Sequence, residues 1–198
     1  GIVVEANLDT AIKPGNAYCI CHRFHTMDQI LLKMLKESDN LYAESMFYQI
    51  AASSGSKHAS ALQARAIIKR LVQKLGFNPN DYTFADGSGL SLYNYVTAEL
   101  EVAFLRYAVK TGNILLHLKP SMPIAATDGT LADRMRGTFT NGNVYAKTGT
   151  LTGVSALSGY CTAANGHRLA FAIMNQGLKH TRNGRAFQDK VCAELCRP

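Results

Sequence analysis

No apolar run in these 198 residues approaches the length of a membrane span, so the chain is not read as a transmembrane protein. The first residues carry neither an initiator Met nor the basic, apolar and small-residue pattern of a signal peptide, and Gly1 reads as a cut end. Basic runs are missing too. The formal charge is +7, but Lys and Arg are scattered and no basic stripe with interleaved aromatics occurs, which excludes a nucleic-acid footprint and leaves an anionic surface as the partner such a charge fits. The five cysteines are an odd number, so they cannot all pair within one chain. Cys19-Ile20-Cys21-His22-Arg23-Phe24-His25 lacks the two-residue gap and the second half of a zinc site, and it lacks the haem-attachment spacing. It is expected to be alternating strand residues, and no metal or cofactor is expected. Repeats, low-complexity segments and domain linkers are absent as well. With 47% hydrophobic and 18% charged residues, one domain with a real core is expected.

What is present falls into helices first and strands last. After short extended pieces over Ile2 to Ile20, interrupted by Pro14-Gly15, Thr26 and Gln29 have the spacing of a capping box. That predicts a helix carrying Ile30, Leu31, Met34 and Leu35 and stopping near Glu37. Ser38, Asp39 and Asn40 favour caps over helix interiors, which places them at a corner before a second helix from about Leu41 to Ala52. Ala64, Ile67, Ile68, Leu71, Val72 and Leu75 define a third helix, closed by Gly76 in a left-handed cap. Asn78 to Asn94 is a glycine-rich loop containing Asp86-Gly87-Ser88-Gly89-Leu90-Ser91. Thr97 caps a helix ending before Gly112, after which Pro120, Pro123 and Gly129 mark a connecting region with Asp128-Gly129-Thr130-Leu131 and Arg134. Three strand-like runs follow, Asn143 to Leu151, Ser155 to Thr162 and Arg168 to Asn175. Thr152-Gly153 and Asn165-Gly166 separate them, so an antiparallel meander is expected. A terminal helix from Thr181 to Cys196, with Phe187, Val191 and Leu195 on one face, covers one side of that sheet. Cys192 and Cys196 share a face of it and suit a buried pair of small apolar groups.

Two triplets carry the chemistry. Lys147-Thr148-Gly149 lies on the first strand, and Ser38-Asp39-Asn40 sits at the helix corner. Together with a nucleophile box S-x-x-K, these are the signatures of serine enzymes that acylate on β-lactams. Each triplet alone reads more simply, as an edge strand and as a capped helix junction, and their joint order is what reverses that reading. Four blocks, Ser38-Asp39-Asn40-Leu41-Tyr42-Ala43-Glu44, Asp86 to Ser91, Asp128 to Leu131 with Arg134, and Ala146 to Thr150 running on to Ser158-Gly159-Tyr160, occur in an order that resembles the C-terminal part of low-molecular-mass penicillin-binding proteins. The resemblance is to the D-alanyl-D-alanine carboxypeptidase/endopeptidase type, peptidase family S13, over roughly residues 22 to 175. It implies an α+β, β-lactamase/transpeptidase-like fold of α/β sandwich type, an antiparallel sheet with flanking helices, incomplete at the N-terminus. Residues 1–198 are then the C-terminal part of a penicillin-binding domain, with 1–25 the end of an inserted region.

The resemblance implies the roles, and acyl transfer explains them: a nucleophile is deprotonated, a leaving amine protonated and an oxyanion stabilised. Ser38 is expected to relay a proton to the leaving nitrogen and Asn40 to hold the substrate amide. Lys147 supplies positive charge for a terminal carboxylate, which the Thr148 and Thr150 hydroxyls also bind. Gly149 leaves room at the strand edge, and the Thr150 N–H suits an oxyanion hole. Asp86 to Ser91 and Asp128 to Arg134 are expected to shape the cleft. Only 37 residues precede Ser38 and none forms the nucleophile box. Ser54-Gly55-Ser56-Lys57 fits the bare pattern, but it follows Ser38 and lies in a loop, so Ser54 is a weak candidate. The expected function is therefore that of a fragment of a serine-type D-Ala-D-Ala carboxypeptidase/endopeptidase, inert alone. Peptidoglycan peptide stems are its substrates and β-lactams its inhibitors, in the periplasm or cell envelope. A non-catalytic peptidoglycan- or β-lactam-binding domain and a β-lactamase-like hydrolase are the alternatives. A sheet opened at its edge is expected to self-associate, giving a homo-oligomer.

Overall fold

Thr26 and Gln29 open the first helix by satisfying each other. The Thr26 hydroxyl accepts the Gln29 N–H at 3.3 Å, and the Gln29 side-chain carbonyl accepts the Thr26 N–H at 3.0 Å. This is seen in a computed structural model, which describes residues 15–19, 21–55 and 58–198. Helix α1 (Met27–Lys36) ends at Glu37, and Ser38 takes a left-handed φ of 57° that swings the chain into α2 (Asn40–Ala52). Asp39 caps α2 by accepting the Tyr42 N–H at 3.1 Å. Helix α3 (Ala61–Lys74) starts on a Ser60–Gln63 capping box, and Gly76 follows its end at φ 91°. Thr97 caps α4 (Ala98–Lys110).

The connecting region after Gly112 holds a helix that the sequence reading missed. Helix α5 (Gly112–Ser121) follows α4 through the single residue Thr111 and carries Pro120 next to its last residue, where the missing N–H removes one bond, to the Leu116 carbonyl. Three strands, β1 (Tyr145–Leu151), β2 (Val154–Thr162) and β3 (Arg168–Asn175), form an antiparallel sheet in the order β1-β2-β3. Gly153 (φ 74°) and Gly166 (φ 81°) close the two hairpins. One further expectation is corrected. Residues 17–19 and 21–26 form no strand; Cys19 and Cys21 are exposed, and the Cys19 thiol donates to the Cys21 carbonyl at 3.2 Å. The extended pieces expected over residues 1–14 and at Ile20 lie outside the described residues.

The last helix, α6 (Thr181–Leu195), does cover one face of the sheet; of the stripe expected, Leu195 packs against the core there but Phe187 does not. Gly184, Gln188 and Cys192 are buried, with Cys196 just beyond, whereas Phe187 is 53% exposed. The stripe turns inward because Gln188 donates to the Ser155 hydroxyl and the Asn175 side chain, both at 3.1 Å, and Gly184 lets the helix lie against Ser155. On this face Ala146, Leu157, Cys161 and Phe171 pack against Cys192 and Cys196. The opposite face carries Tyr160, which packs with Leu105, Leu35 and Met122 and donates its hydroxyl to the Leu105 carbonyl at 2.8 Å. Burying side chains such as Leu157 and Leu105 contributes about 1.5–3 kcal/mol each. Helices α2 and α3 join through Phe47, Ala51 and Ala64. The sheet is thus held between α6 on one side and α1, α4 and α5 on the other, which fixes where the Ser38 corner meets β1.

Candidate functional site

Strand β1 is an edge strand, and its outer edge is covered only at the start. The Ala125 N–H donates to the Val144 carbonyl at 2.9 Å, and the Ala146 N–H donates to the Pro123 carbonyl at 3.0 Å. Since main-chain groups alternate along a strand, the N–H and C=O of Thr148 and Thr150 point to the same side. Beyond Ala146 no described backbone segment pairs with that side. The edge opens at Lys147.

Lys147 joins the two triplets. Its ammonium donates to the Ser38 hydroxyl at 2.7 Å across 109 residues of sequence, and to the Thr148 carbonyl at 2.5 Å. No described carboxylate pairs with it. Burial without a counter-ion pushes its pKa below the usual lysine value. Ser38 reaches Lys147 because of its left-handed backbone, an uncommon conformation for a residue with a Cβ and one concentrated at functional sites. Asn40, in the first turn of α2, is exposed beside it, and Gly149 and Thr150 are exposed on the open edge.

The surrounding loops are tied to this corner. Lys36, at the end of α1, pairs with Asp128, whose carboxylate also accepts the Ile124 N–H at 2.9 Å. Behind Asp128 the chain passes so close to the Lys36 carbonyl that a Cβ at Gly129 would stand 2.8 Å from it. This fixes Thr130, which accepts from the Thr148 hydroxyl at 2.8 Å. On α2, Glu44 accepts the Gly87 and Ser88 N–H groups at 3.1 and 2.9 Å, anchoring the glycine-rich loop. Within that loop Asp86 accepts from Gly89, Ser91 and Asn94. Burial works to raise the Asp86 pKa, but the bonds from Asn94, Ser91 and Gly89 outweigh it and hold the carboxyl below its ordinary value. Arg134 turns away from the edge to α6, where it donates to Asp189 at 2.6 Å and to Gln188 at 3.1 Å.

Ser38, Lys147, Thr148, Gly149 and Thr150 therefore come together, with Asn40 at the rim. Ser54 does not join them. It closes the far end of α2, donating to the Ala51 carbonyl at 2.7 Å, and a helix of 13 residues separates it from Asn40 by about 20 Å. Lys57 lies outside the described residues. Sequence reasoning missed Thr130 as a hydroxyl touching the Lys-Thr-Gly strand, and it missed Arg185, whose guanidinium approaches the Thr150 hydroxyl at 3.5 Å. Thr130 belongs to the Asp128–Leu131 block, expected only to shape the cleft, and Arg185 to no motif; the packing of the 128–131 turn and of α6 reveals both contacts.

A three-stranded antiparallel sheet between helical layers, with a Ser-Asp-Asn corner facing a Lys-Thr-Gly edge strand, is a β-lactamase/transpeptidase-like fold. The chain belongs to the D-Ala-D-Ala carboxypeptidase 3 (S13) family, whose model matches residues 1–195. It is 37% identical over 158 residues to D-alanyl-D-alanine carboxypeptidase DacB of Haemophilus influenzae, covering 79% of this chain and 33% of that protein. A D-alanyl-D-alanine carboxypeptidase of Actinomadura sp. is 37% identical over 164 residues, or 79% of this chain and 29% of its own. The crystal structure of penicillin binding protein 4 (DacB) from Haemophilus influenzae, complexed with a β-lactam, superposes with a TM-score of 0.77 at 33% identity, over 86% of this chain and 41% of that one. An extended-spectrum β-lactamase shares the fold at a TM-score of 0.60 and 18% identity, over 87% of this chain and 62% of its own. The chain spans about a third of the length of these two curated relatives.

Proposed function

We propose that this chain forms the Ser-Asp-Asn and Lys-Thr-Gly walls of the cleft of a serine-type D-Ala-D-Ala carboxypeptidase/endopeptidase that works on peptidoglycan in the cell envelope and is acylated by β-lactams. The observation that carries the reading is the 2.7 Å hydrogen bond from Lys147 to Ser38, which joins two motifs far apart in sequence into one polar corner. A peptide stem adds to the open edge of β1, its main chain meeting the outward groups of Thr148 and Thr150. Its terminal carboxylate is held by the Lys147 charge and the Thr148 and Thr150 hydroxyls, with Arg185 approaching from α6. Asn40 holds the scissile amide, and the Thr150 N–H faces the oxyanion. Ser38 passes a proton to the leaving nitrogen, and the lowered pKa of Lys147 favours that relay. The nucleophilic serine comes from outside these 198 residues, so the chain alone is inert. Self-association through the outer edge of β3, unpaired among the described residues, belongs to the same proposal.

The test is intact mass after incubation with a penicillin, followed by peptide mapping. No adduct on this chain, and one adduct per molecule on the full-length enzyme that is lost in its Lys147→Ala form, is the expected result. A stable adduct on the 198-residue chain would place the nucleophile within it and overturn the inert half-cleft.

A further inference from the structure

A second concave site lies on the Lys147 side of the sheet but away from Lys147, and it does not depend on the acyl-transfer reading. The C-terminal half of α4, the helix α5 and the hairpin ends of β2 and β3 enclose a cavity of about 340 Å³. That is the small end of the range for small-molecule sites. Its inner wall is apolar, built by residues that include Leu115, Tyr160 and Ala170. Four cations stand among the lining residues: Arg106 and Lys110 from α4, Lys119 from α5 and Arg168 from β3. Among the described residues no carboxylate lines the cavity, and none of the four takes part in an ion pair. Lys119 lies over the Tyr145 ring, 4.3 Å from its centre, so its position is already set.

Cations at a helix C-terminus have an ordinary explanation, since they complement the helix dipole. Lys110 and Lys119 fit it. Arg168 does not, because it begins a strand, and Arg106 stands a full turn before the end of α4. Convergence of cations from three elements on one apolar hollow, with no acid among its described lining residues, leaves a local excess of positive charge there. A neutral apolar ligand would leave that charge unanswered, and an inorganic anion would leave the hollow empty. The occupant that answers both is an anion with an apolar tail.

We infer that this cavity binds a single-chain anionic amphiphile as a free monomer, its tail against Leu115 and Ala170 and its phosphate or carboxylate between Arg106, Lys110 and Arg168. Lys147 pairs with Ser158 and the cavity runs from Tyr160 to Thr162, so it begins about 7 Å from the Lys147 position along β2. The test titrates the 198-residue chain with decyl phosphate below its micelle concentration by calorimetry, beside decanol, inorganic phosphate and vesicles of anionic phospholipid. Decyl phosphate is expected to bind one to one and at least about tenfold tighter than decanol or phosphate. An Arg106→Gln/Arg168→Gln double variant is expected to weaken it by about tenfold or more, and Arg136→Gln, a charge removed elsewhere, to leave it unchanged. Val109→Asp, placed on the exposed part of the lining, is expected to abolish binding while circular dichroism stays native. Equal affinity for decanol, binding unaltered in the double variant, binding to vesicles without saturable binding of the monomer, or no binding would each overturn the proposal.

Discussion

Replacing Gly159 by alanine tests whether the Lys-Thr-Gly strand is held by backbone contact on both of its edges. Gly159 pairs with Ala146 across β1 and β2, and a Cβ there would lie 2.0 Å from the Tyr145 carbonyl oxygen and 2.6 Å from the Ala146 Cα. Ordinary contacts need more than an ångström of further separation, and every obstructing atom named belongs to β1 itself. The strand cannot recoil freely, because the Ala125–Val144 and Ala146–Pro123 hydrogen bonds hold its other edge. Overpacking of this kind costs about 1–3 kcal/mol, and two stretched ladder bonds add about 1 kcal/mol each, for a total of about 3–5 kcal/mol. In a chain of this size that lowers Tm by about 6–20 °C. The sign is informative, since alanine inside a strand otherwise improves on glycine by about 0.5–1 kcal/mol. Gly149→Ala is the control on the same pair of strands. Its Cβ would meet only Ala156 Cβ, at 3.5 Å, so stability should stay within about 1 kcal/mol. Urea unfolding and thermal melts followed by circular dichroism measure both variants. A Gly159→Ala protein that melts within about 2 °C of the native chain would refute the reasoning.

Other perturbations address single contacts. Arg134→Ala leaves the partly buried Asp189 carboxylate and the Gln188 side chain without their guanidinium partner, and urea midpoints should fall by the equivalent of about 2–3 kcal/mol, reduced from a fully buried pair because Asp189 is partly exposed. Glu101 is pushed above its ordinary pKa by burial, which its hydrogen bond from Ser158 only partly offsets. Its contribution is most favourable below the unfolded carboxyl pKa and is lost as pH rises through the folded one. Glu101→Gln should therefore raise Tm at pH 8 more than at pH 4, and an equal change at both would count against it. Burial pushes the Cys161 and Cys192 thiols up to about 12. Their stabilising effect is intact below about pH 9, where unfolded thiols are still protonated, and is lost between there and 12. At pH 10.5 the two together should cost about 4 kcal/mol, a loss that Cys161→Ala/Cys192→Ala would remove from the pH profile even if that variant is less stable at pH 7.

The elements legible in the sequence are those whose signal is local. Thr26 with Gln29 and Asn165-Gly166 each contain the chemistry of their own cap or turn, and the structure realises them where they stand. Helix α5 was hidden because Gly112 and Pro120 both read as breakers. The glycine sits at the first helical position, and the proline next to the last residue, where it removes one bond, to the Leu116 carbonyl, and leaves the turns before it paired. The buried stripe of α6 was misread for the opposite reason, since Phe187 looks like a core residue and Gln188 does not. Hydrogen bonds to Ser155, Asn175 and Arg134 decide the helix rotation, and none of them is visible in a pattern of apolar spacing. At the site, the two triplets named Ser38, Asn40, Lys147 and Thr148, but the Thr130 hydroxyl and the Arg185 guanidinium enter from segments whose approach depends on tertiary packing alone.

Lys147 carries the physical logic of the proposed cleft. Its ammonium is largely withdrawn from water, its partners among the described residues are a hydroxyl and a carbonyl, and burial lowers its pKa. A group in that condition favours an anion from outside over any rearrangement within the fold, because an arriving carboxylate supplies the counter-charge that burial removed. Binding a carboxylate-terminated peptide should then reverse the shift, raising the Lys147 pKa and drawing a proton from solution at alkaline pH. The same peptide with an amidated terminus should do neither. Titration of a ¹⁵N-labelled Lys147 ammonium with both peptides reads this directly. A pKa that stays depressed with the carboxylate bound would mean that the charge is poised for the Ser38 relay alone, and that substrate selection rests on the threonine hydroxyls and Arg185.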